Sequence, residues 1–234
     1  AQHASTRHRS VLEGPRRARH VALDGGQQPQ GGRQRIALDD ERFVGNVAFR
    51  NNGQTFDAMR MELTPAQGLK LDLSYAWSVR TIWGFQGKGA RQQAVSGDNI
   101  FVNLSYVTPV GTLSGFAYLV DQDEAAMQAF RLSSQTYGVR LAGTQPLSKA
   151  AKLSYQLSYA KQADHHANPN NYSADYWLAD ATLDVKGWKL NAGYEVLGAS
   201  SGAALTSFQT PLGTNFKFQG WADKFLTTPG NGIL

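Results

Sequence analysis

Residues 69–79 carry the strictest pattern in the chain, in which Leu69, Leu71, Leu73, Tyr75, Trp77 and Val79 alternate one by one with Lys70, Asp72, Ser74, Ala76 and Ser78. Successive side chains of an extended strand point to opposite sides, so this segment has one apolar wall and one largely polar wall. Segment 150–160 repeats it, with Leu153, Tyr155, Leu157 and Tyr159 against Lys152, Ser154, Gln156 and Ser158. So does 188–196, with Trp188, Leu190, Ala192, Tyr194 and Val196 against Lys189, Asn191, Gly193 and Glu195. Weaker alternation at about 33–38, 42–51, 54–64, 98–108, 112–121, 132–145, 174–186 and 214–225 brings the candidates to eleven strands. A twelfth is expected to begin at Ile233, after the turn-forming run Thr227 to Gly232.

The connections alternate in length. Asp39 to Glu41, Pro65 to Gly68, Pro109 to Gly111, Pro146 to Lys149 and Lys186-Gly187 are short, while 81–97, 122–131, 163–173 and 199–213 are long and polar. The tight Asn52-Gly53 link is the one exception, falling where a long connection is expected. A meander that crosses a membrane, with short turns on the periplasmic side and long loops outside, has this parity. The expected fold is therefore all-β, a transmembrane antiparallel up-and-down β-barrel in the outer membrane of a Gram-negative bacterium.

Bulk properties agree. No run approaches the ~18 apolar residues of a membrane-spanning helix. The mean hydropathy of -0.39 does not oppose a barrel, whose strands need an apolar residue only at every second position. The 24 glycines and 11% aromatic residues suit strands and turns. Cysteine is absent, which removes a disulfide framework and any thiolate site. A net charge of +5 raises the question of nucleic acid, but most of it sits at one end. Residues 1–30 hold five arginines against Glu13 and Asp24, net +3, leaving +2 for the remainder. No nucleic-acid partner is expected, since aromatic interleaving is missing. Residues 1–31 have neither period and are expected to be disordered or non-native, with the barrel domain running over 32–234.

A soluble sandwich or barrel with its apolar face inward is the competing architecture. Against it, eleven or more meandering strands would enclose more space than side chains can fill. Trp77, Tyr106, Trp177, Trp188 and Tyr194 also fall near expected strand ends, where an interfacial aromatic girdle belongs. The polar phase would then line a lumen with Arg60, Lys70, Arg80, Arg140, Lys152, Lys189 and Lys217, and with Glu62, Asp72, Asp180, Asp184, Glu195 and Asp223. So many charges are tolerable beside water and costly in a dry core. No catalytic residue is assigned, because no strand carries a His in phase with an inward Ser. His165 and His166 share a polar loop without an evident third ligand, so no metal and no cofactor is expected.

Two stretches are distinctive: Gly32-Arg33-Gln34-Arg35-Ile36 with Leu38-Asp39-Asp40-Glu41-Arg42-Phe43-Val44-Gly45, and Phe218-Gln219-Gly220-Trp221-Ala222-Asp223-Lys224-Phe225-Leu226-Thr227-Thr228-Pro229. With Thr55-Phe56-Asp57-Ala58, Arg60 and Glu62, they resemble the alginate export family of proteobacterial outer-membrane proteins, over about residue 32 to the end. The resemblance implies a monomeric barrel of about 18 strands passing an anionic polysaccharide, of which this chain would be a piece. Arg33, Arg35, Arg60, Arg80 and Arg140 are then the first candidates for an anion path, since guanidinium pairs well with carboxylates. The expected function is a porin-like channel for a hydrophilic, anionic or sugar-like solute, embedded in outer-membrane lipid. The alternative is a non-conducting barrel with a surface-binding or structural role, and a lipase-like barrel enzyme ranks third.

Overall fold

The computed structural model describes residues 19–20, 28–89, 91–220 and 226–233 of the 234-residue chain. They contain one antiparallel sheet of ten strands paired in chain order. These are β1 (Arg19–His20), β2 (Gln28–Gln34), β3 (Thr55–Ala66), β4 (Leu69–Arg80), β5 (Ala94–Thr108), β6 (Gly111–Val120), β7 (Ser134–Ser148), β8 (Ala151–Asp164), β9 (Ser173–Val185) and β10 (Trp188–Leu197). From β3 onward each strand has 10 to 15 residues, enough for the ~9–11 that a tilted membrane-spanning strand requires.

The apolar phase faces outward. Met59, Tyr75, Ile100, Leu104, Tyr137, Val139, Leu157, Trp177, Leu190 and Tyr194 are exposed, whereas Ala58, Ser74, Asn99, Phe101, Tyr118 and Ala160 are buried. Cross-strand partners share a face, and the register keeps these sets apart: Met59 lies opposite Tyr75, Tyr75 opposite Ile100, and Ser74 opposite Phe101. A soluble sandwich would bury the outer set, so that architecture does not hold.

Three expected strands take other forms. Segment 33–38 contributes only its first two residues, at the end of β2, and the sheet reaches back past residue 32 to Gln28 and, through β1, to Arg19. Segment 42–51 is not a strand. Residues 35–54 form one long link that crosses the inner face, with Val44 in a single parallel bridge to Leu212. The apparent exception at Asn52-Gly53 disappears with it, since β2 and β3 are joined by a long connection as the parity requires. Segment 214–225 begins as a turn and a four-residue helix, α1 (Phe216–Gln219), and residues 221–225 lie outside the described residues. Ile233, where a twelfth strand is expected to begin, makes one antiparallel bridge to Leu197, and Leu234 lies outside the described residues.

The link and the segment after β10 interlock. Gly45 donates to the Leu212 carbonyl at 2.9 Å and Thr214 to the Glu41 carbonyl at 2.9 Å, while the Gln54 amide donates to the carbonyls of both Gly45 and Leu212. Phe43 stands among Phe116, Tyr118, Tyr176 and Phe208, with ring centroids 5.1 to 6.3 Å away. Such rings attract beyond their buried area, by about 0.5–1.5 kcal/mol a pair. These contacts also report curvature. Asp39 to Arg42 reach side chains of β5, β6, β7, β8 and β10. Buried residues from Phe56 of β3 to Leu197 of β10 join Ile36, Leu38 and Val44 of the link in one apolar cluster, although a flat sheet would hold β3 and β10 about 34 Å apart at ~4.8 Å per gap. The sheet therefore curls around the link.

Candidate functional site

The inner face is a field of paired charges. The Arg60 guanidinium donates from Nε to both Asp72 oxygens at 3.0 and 3.1 Å, closes on Asp72 again through Nη2, and reaches Glu62 at 3.3 Å. Lys70 Nζ lies 2.6 Å from Glu62, and Lys152 Nζ lies 3.7 Å from Asp184. Asp180 accepts from the Asn191 amide at 2.9 and 3.1 Å. Glu195 receives Arg42 Nε at 2.7 Å and the Tyr176 hydroxyl at 2.8 Å. Lys189, opposite Asp184, shares the same face. Ion pairs of this kind brace a wall, and half-exposed ones contribute little to stability.

Two arginines expected in the lumen are elsewhere. The ladder between β4 and its neighbours slips by one residue, so that Ala58 pairs with Ala76 but Asp57 with Ser78, and Trp77 is the extra residue. A bulge of this kind reverses which way later side chains point. Val79 therefore turns inward, 1% exposed beside Phe56, and Arg80 turns outward. Arg33 joins it on the outer face, where both bind Asp57, Arg33 at 2.8 and 3.1 Å and Arg80 at 3.2 Å. Neither faces the inner wall. Arg35 is an exposed residue of the link rather than of a strand. Lys217 is not on a strand either; it lies in α1 and bonds Glu41 at 2.8 Å. Asp223 lies outside the described residues.

Of the aromatic residues, Tyr106 and Trp188 stand beside short turns, while Trp77 and Trp177 lie toward the long connections. Tyr194 is six residues beyond Trp188, about 20 Å at ~3.4 Å per residue, close to the height of a barrel's apolar band. His166 Nδ1 is 3.1 Å from Asp121. Its neighbour His165 titrates below the ordinary range through burial and the adjacent His166, which outweigh Asp121 and Asp164. Among the described residues no group of three or more His, Asp or Glu could hold a metal ion.

The residues that sequence periodicity missed are those of the link. Asp39 and Asp40 present their carboxylates to the wall between the paired charges. Asn103 Nδ2 donates to Asp39 at 2.7 Å and Ser114 Oγ at 3.3 Å, and the Gln156 amide donates to Asp40. Arg140 lies 3.7 Å from Asp39 and 3.8 Å from Asp40. Asp39 and Glu41 hold positive φ angles of 51° and 69°, each a strained choice for a residue with a Cβ. Glu41 is pulled two ways: burial raises its pKa, but Lys217, the Thr214 hydroxyl and the Asn46 amide outweigh that and leave it below the ordinary carboxylate range. The available signal was the acidic Leu38-Asp39-Asp40-Glu41-Arg42 run between two apolar stretches, which periodicity alone reads as a turn.

An outward apolar band, an inward ionised face and a meander of long strands define the wall of an outer-membrane β-barrel. Solved structures agree with that class. The chain superposes on OpdL of Pseudomonas aeruginosa with a TM-score of 0.63 at 18% identity, covering 91% of this chain and 55% of that one. OpdQ of the same organism gives 0.57 at 15%, covering 80% and 50%. The outer membrane protein OprD of Pseudomonas aeruginosa gives 0.53 at 14%, covering 73% and 40%. The chain thus spans about half the length of the structures it matches, and at such identities the likeness is one of fold. No family model matches the chain, and no curated protein does either.

Proposed function

We propose that this chain forms part of the wall of a passive outer-membrane channel for a hydrophilic solute. The observation that carries the reading is the division of faces: hydrocarbon-compatible side chains outside, and Arg60, Lys70, Asp72, Arg140, Lys152, Asp180 and Glu195 inside. Lipid meets the outer face, and a water-filled interior removes the desolvation cost of the inner one. The resemblance of the strings at residues 32–45 and 218–229 to the alginate export family favours an anionic, polyuronate-like cargo and a full-length protein working as a monomer. With Arg33 and Arg80 on the outer face, Arg60 and Arg140 are, of the five arginines named for an anion path, the two on the inner wall for such a cargo to meet. Planar-bilayer recording of the full-length protein tests this. Steady ion current with anion preference is the expected result, and equal passage of anions and cations removes the polyuronate reading.

The second reading is a non-conducting barrel, and the packing of residues 35–54 against the segment after β10, across the inner face, favours it. Complete absence of current from correctly folded protein would establish that reading instead.

A further inference from the structure

Four neighbouring strands each send a polar side chain to the same two carboxylates: Asn103 from β5, Ser114 from β6 and Gln156 from β8 donate hydrogen bonds, and Arg140 from β7 faces both at ion-pair distance, 3.7 and 3.8 Å. The acidic wall residues on either flank are already engaged. Asp72, opposite Asn103, is held by Arg60 and Ser74, and Asp180, opposite Gln156, by Asn191. The patch between them is thus a surface of hydrogen-bond donors with one fixed positive charge, suited to a carboxylate and indifferent to a cation. What fills it is the chain's own Asp39 and Asp40.

Building on the channel reading, we propose that Asn103, Ser114, Arg140 and Gln156 form a carboxylate receptor on the lumen wall. Asp39 and Asp40 are its tethered occupants, displaced by a solute that carries carboxylates of its own. An intramolecular ligand tethered at both ends competes at high effective concentration. The turn that presents it is held from behind by Glu41 to Lys217 at 2.8 Å, and by the buried Arg42 to Glu195. A chain of uronates offers the carboxylates repeatedly, so it would exchange with the turn one residue at a time. A neutral sugar has nothing to exchange.

The test uses the full-length protein in planar bilayers, with trigalacturonate as the blocker and maltotriose as the neutral control. A receptor that is free a tenth of the time binds about tenfold more weakly than one always free. The double variant Asp39→Asn, Asp40→Asn is accordingly expected to lower the half-blocking concentration of trigalacturonate about tenfold and to leave maltotriose unchanged. Adding Arg140→Gln is expected to abolish that gain. Calorimetric titration of trigalacturonate into the detergent-solubilised variants reads the same site without conduction. The calorimetric gain without current in any variant supports the receptor and overturns the channel. Current with equal trigalacturonate binding by wild type and double variant, or a gain that survives Arg140→Gln, overturns the receptor.

Discussion

Replacing Arg42 by Met should detach the link from the wall without melting the sheet. The Arg42 side chain is 1% exposed, and its Nε bonds Glu195 at 2.7 Å, while Nη1 lies 3.4 Å from Thr210 and 3.3 Å from Asn215. Removing one partner of a buried pair costs about 3–5 kcal/mol, chiefly because the other charge is stranded. Glu195 is less stranded than most, since it is 21% exposed and keeps the Tyr176 hydroxyl at 2.8 Å. The lower end, about 3 kcal/mol, is therefore the appropriate figure. That loss falls on docking of residues 35–54, because the strand ladders do not run through Arg42, and local opening is set by local contacts. About 3 kcal/mol is roughly a hundredfold in an opening equilibrium. Hydrogen exchange in detergent reads it directly: the Leu38 amide, bonded to the Val44 carbonyl, and the Gly45 amide, bonded to Leu212, should exchange about a hundredfold faster. Amides of β8 should not change. Unchanged exchange at Leu38 and Gly45, or equal acceleration in β8, would refute the assignment of Arg42 as the anchor of a separable link.

Three further outcomes follow from the same geometry. The Glu41 carboxyl has a depressed pKa, so its contribution to link docking is complete above about 4.5, where the unfolded group ionises, and is lost as pH falls through the lower folded value; exchange at Gly45 should accelerate over that acid window, and Glu41→Gln should remove the pH dependence. Leu157→Arg, on the exposed outer face of β8, should cost about 2–4 kcal/mol for folding into lipid vesicles, whereas Ser154→Arg on the inner face should cost far less. Gly138→Ala should loosen the aromatic cluster, since a Cβ there meets the Phe116 ring and the Tyr159 carbonyl; overpacking of this kind costs about 1–3 kcal/mol, and faster exchange at Leu38 with intact β7 amides is the expected signature.

The strands were legible because each obeys one rule with a large penalty: an apolar side chain every second residue, against lipid. Segments 69–79, 150–160 and 188–196 state that rule plainly and are β4, β8 and β10 with small changes at their ends. The link was not legible because it obeys a different rule. Phe43 and Val44 are neighbours that both pack, Phe43 against wall aromatics and Val44 into the interlocked segment, and Val47 takes a positive φ of 49°. Apolar residues at 43, 44, 47 and 49 look like an imperfect strand when only spacing is counted. What decides the matter is tertiary: Thr214 and Leu212, distant in sequence, and the link's own Gln54 satisfy its backbone and leave no ladder for it to join.

The bulge at Trp77 shows how far one residue can move a functional argument. Alternation counted straight through β4 puts Arg80 in the lumen beside Arg60; the slipped register puts it on the outer face with Arg33, two guanidinium groups sharing Asp57 above the exposed rings of Tyr75 and Trp77. There the pair lies on the outer face, a position where arginine side chains are stable because they reach toward water past the apolar band. The inner face accordingly loses two of its expected cations, and Asp39 and Asp40 bring two carboxylates to Arg140. Any preference of the lumen for anions therefore depends on where the link lies. With the link docked, Arg140 faces carboxylates of its own chain. On the receptor we propose, withdrawing the link leaves the same four side chains facing the lumen, and the wall gains a preference for anions through a change in packing alone.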